Sequence, residues 1–291
     1  MILDVANFAD DNSPFTAADS TPEVLSKLSS ESLNLLSWIR SNGLKANPDK
    51  FHLLLSDPNE ELSMVFGNCE VKNSTSQKLL GVTLDNKMSF DKHVSTLCDK
   101  ASRKLHALSR VSNFMTLNQR KIIMQTFFLS HFGYCPLVWM FHSRKLNNRI
   151  NRLHKRALQI VYNDYESSFE TLLNRSGSFK IHERNIQTMA IELYKVAHNL
   201  APKIMHLVFQ TKSNPLYPRE NIFKTSNVRT VRWGTDSLSF IGPKIWSIVP
   251  SEIKKLPFSL FKKRVRSWKP DKCPCRLCKF YEPNVGFLEI K

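Results

Sequence analysis

Cysteine is scarce in this chain and irregularly placed. The six residues, Cys69, Cys98, Cys135, Cys273, Cys275 and Cys278, are too few to staple 291 residues. A disulfide scaffold is excluded, and a reducing compartment is expected. Positive charge is missing from the first twenty residues, which hold four aspartates and neither lysine nor arginine. That excludes a secretory signal peptide, so an intracellular, non-secreted protein is expected. A long apolar run is missing too. The most apolar stretch, 122 to 141, is interrupted by Gln125, His131, Gly133 and Pro136. A buried helix followed by a turn is expected there, and no membrane partner. No internal repeat or low-complexity tract is present.

What is present is a globular composition, 42% hydrophobic and 23% charged, in a chain long enough for one large domain or two to three small ones. The net charge of +17 and a pI near 9.7 point to a polyanionic partner, nucleic acid or an acidic membrane surface. The charge is divided. Residues 1 to 70 carry four Lys/Arg against eleven Asp/Glu, while the remainder carries 38 basic and 14 acidic residues. An acidic front suits a cation, and a basic body suits phosphates.

Residues 2 to 8 read as a short buried strand and 12 to 17 as its return partner, with Asp10-Asp11 in or beside the turn. Thr21-Pro22 starts a helix whose apolar residues Val24, Leu25, Leu28, Leu35, Leu36 and Ile39 share a face, and Gly43 stops it. "FHLLLS" (51 to 56), "LSMVFG" (62 to 67) and "KLLGVTLD" (78 to 85) are strand candidates. The front third is therefore α+β in character. From Asp91 to about Val208 the period becomes helical. In "SRKLNNRINRLHKRALQIVY" (143 to 162), Leu146, Ile150, Leu153, Ala157 and Ile160 mark one face, and Lys145, Arg149, Arg152 and Arg156 mark a stripe displaced by one residue. A further helix, 182 to 199, places Ile186, Met189, Leu193, Val196 and Leu200 inside. "SNPLYPRE" reads as a linker, with possible strands at 228 to 233 and 238 to 241 beyond it, then a basic segment and the cysteines.

Two adjacent carboxylates at a strand end suit a hard cation such as Mg²⁺, although an Asp-Asp pair is also an ordinary solvated turn. The basic stripe suits phosphate contact, or a solvated face of a bundle helix. Trp233, Trp246 and Trp268 among basic residues can stack on bases or pack in a core. Cys273, Cys275 and Cys278 form C-x-C-x-x-C, close enough to share Zn²⁺, but the residues after them supply no fourth ligand and plain reduced thiols are the alternative.

"FADD" within strand-turn-strand resembles the catalytic hairpin of reverse transcriptases. "SNGLKANPDKFHLLL" (41 to 55) resembles the next palm segment, and "KLLGVTLDNKMSFDKHV" (78 to 94) the following one. The order and spacing are similar to non-LTR retrotransposon enzymes of the jockey and CR1-like groups, and "GPKIWSIVP" and "CPCRLC" look like C-terminal parts of such reading frames. The resemblance implies an α+β fold: a partial polymerase palm at 1–92, a helical thumb-like region at 93–211 and a basic C-terminal region with the cysteines at 212–291. It implies template-directed DNA synthesis on RNA, with a DNA primer or target, deoxynucleotides and Mg²⁺. Asp10 and Asp11 would be catalytic metal ligands and Lys50 the palm lysine near the incoming phosphates. At Lys50 the family has Lys-Thr where this chain has Phe51, and an ordinary surface lysine is the other reading.

The family also places fingers and another metal-binding aspartate on an earlier strand, ahead of the hairpin. Asp4 cannot replace that ligand from the same strand, so no activity is expected of this chain alone. The alternative is a non-catalytic basic RNA- or DNA-binding module. Membrane-surface association is the weakest reading, because the opposite helix faces are needed for a core. Nuclear location is expected of an active element, and "FKKRVRSWK" fits either a localisation signal or nucleic-acid contact.

Overall fold

The computed structural model describes residues 4–9, 11–56, 62–67, 69–212, 222–230, 234–270 and 275. The fold is α+β, with three small antiparallel strand pairs and many helices among these residues. The chain divides into two compact units, Met1–Ser89 and Phe90–Lys291.

The first unit opens with β1 (Asp4–Phe8) and β2 (Asp11–Phe15), paired antiparallel with Asp4 opposite Phe15 and Phe8 opposite Asp11. Two residues therefore connect the strands, and Ala9 has φ 54°, the left-handed conformation of the tightest hairpins. The first strand is not buried as expected: Phe8 is 65% exposed, and Phe15 on β2 is 55% exposed. α1 (Thr21–Ser41) begins with Ser20, not Thr21, as its cap residue, has Pro22 in its first turn, and is followed by Gly43 at φ 69°. It packs against β3 (Ser63–Phe66), which pairs with β4 (Cys69–Lys72), a strand the residue pattern did not reveal.

Residues 51 to 56 form no regular strand. Leu53 and Leu55 are buried, but only an isolated bridge joins Leu53 to Asn73. The Leu55 N–H donates to the Asn73 side-chain oxygen (2.9 Å), and the Leu53 carbonyl accepts from the Ser74 hydroxyl (2.9 Å). That carbonyl also accepts from the Ser74 N–H (3.0 Å), so side chains and one backbone bond stand in for a ladder. The expected single strand at 78–85 is instead most of a hairpin, β5 (Ser76–Leu79) and β6 (Val82–Asp85). Leu80 (φ 46°) and Gly81 (φ 86°) turn the chain between them, with glycine tolerating the second left-handed position. The Asp85 carboxylate then accepts from the Lys87 and Ser89 N–H groups at 3.1 and 2.9 Å, ending the strand in a side-chain-closed turn.

The second unit is helical. α2 (Asp91–Val111) is followed by α3 (Leu117–Ile123), whose start is a Thr116–Gln119 capping box. α3 runs into a π-helical stretch (Met124–Phe128) and a 3₁₀ turn (Leu129–Phe132), then α4 (Pro136–Trp139). After these come α5 (Arg144–Tyr162), α6 (Phe169–Ser176), α7 (Ile181–Ala197), α8 (Lys203–Val208), α9 (Leu238–Ile248), α10 (Ser251–Lys254) and α11 (Phe258–Ser267). Among the described residues no helix is long and apolar enough to cross a membrane.

Two cores hold this unit. One joins α2, α5 and α6 around Val94, Leu97, Phe128, Trp139, Ile150, Leu158 and Leu172. The other joins α7, α9 and α11 around Met189, Leu193, Phe209, Ile245, Trp246 and Phe261. The segment expected as a separate C-terminal region thus shares a core with α7. Residues 238 to 241 are helical, not a strand: Ile241 and Ile245 recur at helical spacing and bury one face with Trp246. Gly242 lets α9 come close to its neighbours, for a Cβ there would stand 2.5 Å from the Phe209 ring. Leu200, expected inside, is 57% exposed because α7 ends at Ala197 and Asn199 (φ 54°) turns the chain away. "SNPLYPRE" (213 to 220) lies outside the described residues.

Candidate functional site

The acidic hairpin is the first candidate. Asp11 begins β2 opposite Phe8 and is exposed; Asp10 lies outside the described residues. Asp4 stands four register pairs from the turn end of the ladder. Lys50 closes a 3₁₀ turn, Pro48–Lys50, whose first N–H bonds are organised by the Asn47 side chain accepting from the Asp49 N–H at 3.1 Å. Lys50 is exposed. Among the described residues no group of three or more His, Cys, Asp or Glu side chains is gathered for a metal. Mg²⁺ requires several oxygen ligands in near-octahedral array, and the described residues alone do not compose that set.

The basic helix α5 is the second candidate, and its four stripe residues part company. Arg149 donates to the Ser95 hydroxyl (3.1 Å) and pairs with the Asp99 carboxylate, tying α5 to α2. Arg156 lies over the Tyr165 ring, 5.1 Å from its centre. Lys145 and Arg152 instead line a cleft of about 450 Å³ with Asn148, Asn151, Lys155 and Phe169. Positions 145, 148, 152 and 155 recur at 3, 4 and 3, so one helical face presents two lysines, an arginine and an asparagine. Helical spacing allows this face as well as the stripe of Lys145, Arg149, Arg152 and Arg156; neighbouring residues decide between them by engaging Arg149 and Arg156. The Asn151 side-chain oxygen is buried without a hydrogen-bond partner in the protein, an acceptor left over at the cleft wall.

The floor of this region is tightly packed. His154, wholly buried one residue before Lys155, packs between Phe128 (5.9 Å) and Phe169 (5.4 Å, edge-on). Burial, and then the Arg184 charge, push its pKa down to about 3, so the ring is neutral. Across from it the Lys180 ammonium lies 6.0 Å above Phe169 and pairs with Glu170. Three cations on the cleft face, with only neutral amides between them, suit phosphate oxygens.

Trp246 and Trp268 are packing residues rather than an exposed stacking pair. Trp246 is a core residue, and Trp268 packs against the same core while its carbonyl accepts from the Gln187 side chain at 2.8 Å. Trp233 lies outside the described residues. Of the cysteine cluster, Cys273 and Cys278 lie outside them as well. Cys275 is buried, its sulfur 3.1 Å from His182 Nε2. No family model, no curated protein and no solved structure matches this chain.

Proposed function

We propose that the chain is part of the RNA-directed DNA polymerase of a non-LTR retrotransposon. In this reading the front unit carries the F-A-D-D hairpin of a palm, and the second unit is a thumb-like bundle that grips the RNA template with its DNA primer or target. The observation that carries the reading is the hairpin register. A two-residue connection between Phe8 and Asp11 places F-A-D-D at a strand-turn-strand tip, the setting a polymerase hairpin needs. Asp10 and Asp11 are then ligands for Mg²⁺ in an intact enzyme, with Lys50 near the deoxynucleotide phosphates. The apolar surface at Phe8 and Phe15 fits a hairpin that packs against further palm strands. Nuclear location follows for an active element.

The Lys145–Arg152–Lys155 cleft supplies the grip. Its cations would meet backbone phosphates and hold the duplex without reading its sequence. The same cleft favours the second reading, a non-catalytic RNA- or DNA-binding module, because it lies entirely within the second unit.

Binding of a labelled RNA–DNA primer-template, measured by fluorescence anisotropy over a salt series, tests both readings. Salt-sensitive binding is expected, with the slope of log affinity against log salt reduced by about three in a Lys145→Ala/Arg152→Ala/Lys155→Ala variant. A chain that ignores RNA and DNA at low salt sinks both. The DNA preceding the Met1 codon separates them: a fingers segment and a further aspartate-bearing strand are expected, and sequence unrelated to either leaves the binding module standing alone.

A further inference from the structure

The cleft on α5 is larger than phosphate recognition requires. Its volume of about 450 Å³ falls within the range of small-ligand pockets, roughly 300–1,000 Å³, and its lining is not all cationic. Lys145, Arg152 and Lys155 are spread over about 15 Å of helix. The ion pairs formed among the described residues do not engage them. Phe169, in the first turn of α6, lines the cleft with them and is half-buried against the first core. Asn148 and Asn151 lie between the cations along α5, and the Asn151 side-chain oxygen is buried with no hydrogen-bond partner in the protein. A buried acceptor in that state is costly until a bound molecule donates to it.

Three chemistries meet here, and one ligand class uses all of them. Cations suit phosphodiester oxygens, a phenyl ring suits the flat face of a nucleobase, and an amide oxygen suits a base N–H. A base-paired nucleotide keeps its base inside the stack, where a ring lining a protein cleft does not reach it. We propose that the cleft takes one unpaired nucleotide of an RNA or DNA strand. Its base lies against Phe169 with an N–H directed to Asn151, and Lys145, Arg152 and Lys155 hold the adjoining phosphates. The inference rests on the nucleic-acid reading above and narrows it from a backbone grip to a pocket that also accepts a base. Binding is tolerant of sequence, because every base has a face to stack and at least one N–H on its pairing edge. A template strand running beyond its primer offers such nucleotides. A free mononucleotide is a poorer match, since it brings a single phosphate group to three cations spread along α5.

The decisive measurement compares two labelled single strands of equal length and charge, one natural and one abasic throughout, binding the full chain at one salt concentration. Fluorescence anisotropy should show the natural strand bound at least about fivefold more tightly, the low end of base–aromatic stacking. This comparison needs no variant. Phe169→Leu, which keeps an apolar side chain against the core, should bring the ratio close to one without changing the salt slope. Phe169→Tyr should keep the ratio, a rescue that a merely structural phenylalanine would not give. Lys145→Ala/Arg152→Ala/Lys155→Ala should weaken both strands alike. Equal affinity of the unaltered chain for the two strands overturns the proposal and leaves the backbone grip intact. So does a ratio that survives Phe169→Leu in protein shown by its thermal melt to be folded. Displacement of the natural strand by adenosine monophosphate at equal nucleotide concentration would assign the pocket to free nucleotides and overturn the proposal too. If neither strand binds, the proposal and the nucleic-acid reading fall together.

Discussion

The two units solve the burial problem differently. In Met1–Ser89 the buried apolar side chains among the described residues are Leu36, Leu53, Leu55 and Val82, and each sheet is a single pair of strands. Two-stranded hairpins bury little and are marginal by themselves. In Phe90–Lys291, two contiguous cores enclose tryptophan, phenylalanine and leucine side chains at nearly complete burial. The acidic unit therefore presents its candidate residues on lightly supported elements. The basic unit presents them on a helix whose other face is locked. The contrast teaches that Lys145, Arg152 and Lys155 are held by packing, whereas Asp11 is held by a ladder alone.

Core truncation should break this contrast most strongly. Trp246→Ala is expected to cost about 3–5 kcal/mol in denaturant unfolding of the second unit. Trp38→Ala, at a site 57% exposed in the first, should stay within about 0.5 kcal/mol. Equal losses would mean the two units are not packed as described. Acid comes next. His154 is neutral in the folded chain to about pH 3, while in the unfolded chain it takes a proton near pH 6.5. Its contribution is whole above pH 6.5 and is lost as pH falls toward 3, at about 1.4 kcal/mol per pH unit. His154→Gln should make the stability-versus-pH curve shallower by about that amount, and an unchanged slope would refute a buried neutral ring.

Gly242→Ala is a smaller blow, about 1–3 kcal/mol, because the Phe209 ring must move to admit a methyl group. A thermal melt showing no loss would mean that α9 and Phe209 are not in close approach. The finest comparison lies within one stripe. Arg152→Ala should reduce the salt slope of nucleic-acid binding by about one with stability nearly unchanged. Arg149→Ala should leave binding almost intact and cost about 1 kcal/mol or less of stability, since its partner Asp99 is itself half exposed. Matching effects from the two arginines would erase the distinction.

Much of the architecture was legible in local chemistry. Helical spacing gave α1 from Pro22 to Gly43, and α5 with its apolar face. The strand-turn-strand frame around F-A-D-D followed from its polar turn. The misreadings have physical causes. Residues 51 to 56 look like a strand because they are a short apolar run, yet the Asn73 side chain and both the N–H and hydroxyl of Ser74 bond their backbone in place of a ladder. "KLLGVTLD" reads as continuous because Leu80 is apolar, but it sits in a left-handed turn. Residues 238 to 241 are too few to distinguish a period of two from one of 3.6 until Ile245 and Trp246 are counted with them.

The sequence by itself determined the charge division, the helical periods and the covalent closeness of the three cysteines, because these depend on composition and on spacing along one element. Only the tertiary structure decided which cations face outward. Arg149 and Arg152 belong to one basic stripe, but Asp99 of α2 pairs with Arg149 whereas Arg152 lines the cleft. It also decided that His182 meets Cys275, since no local rule relates residues 93 apart; their contact exists because α7 and the segment after α11 share one core.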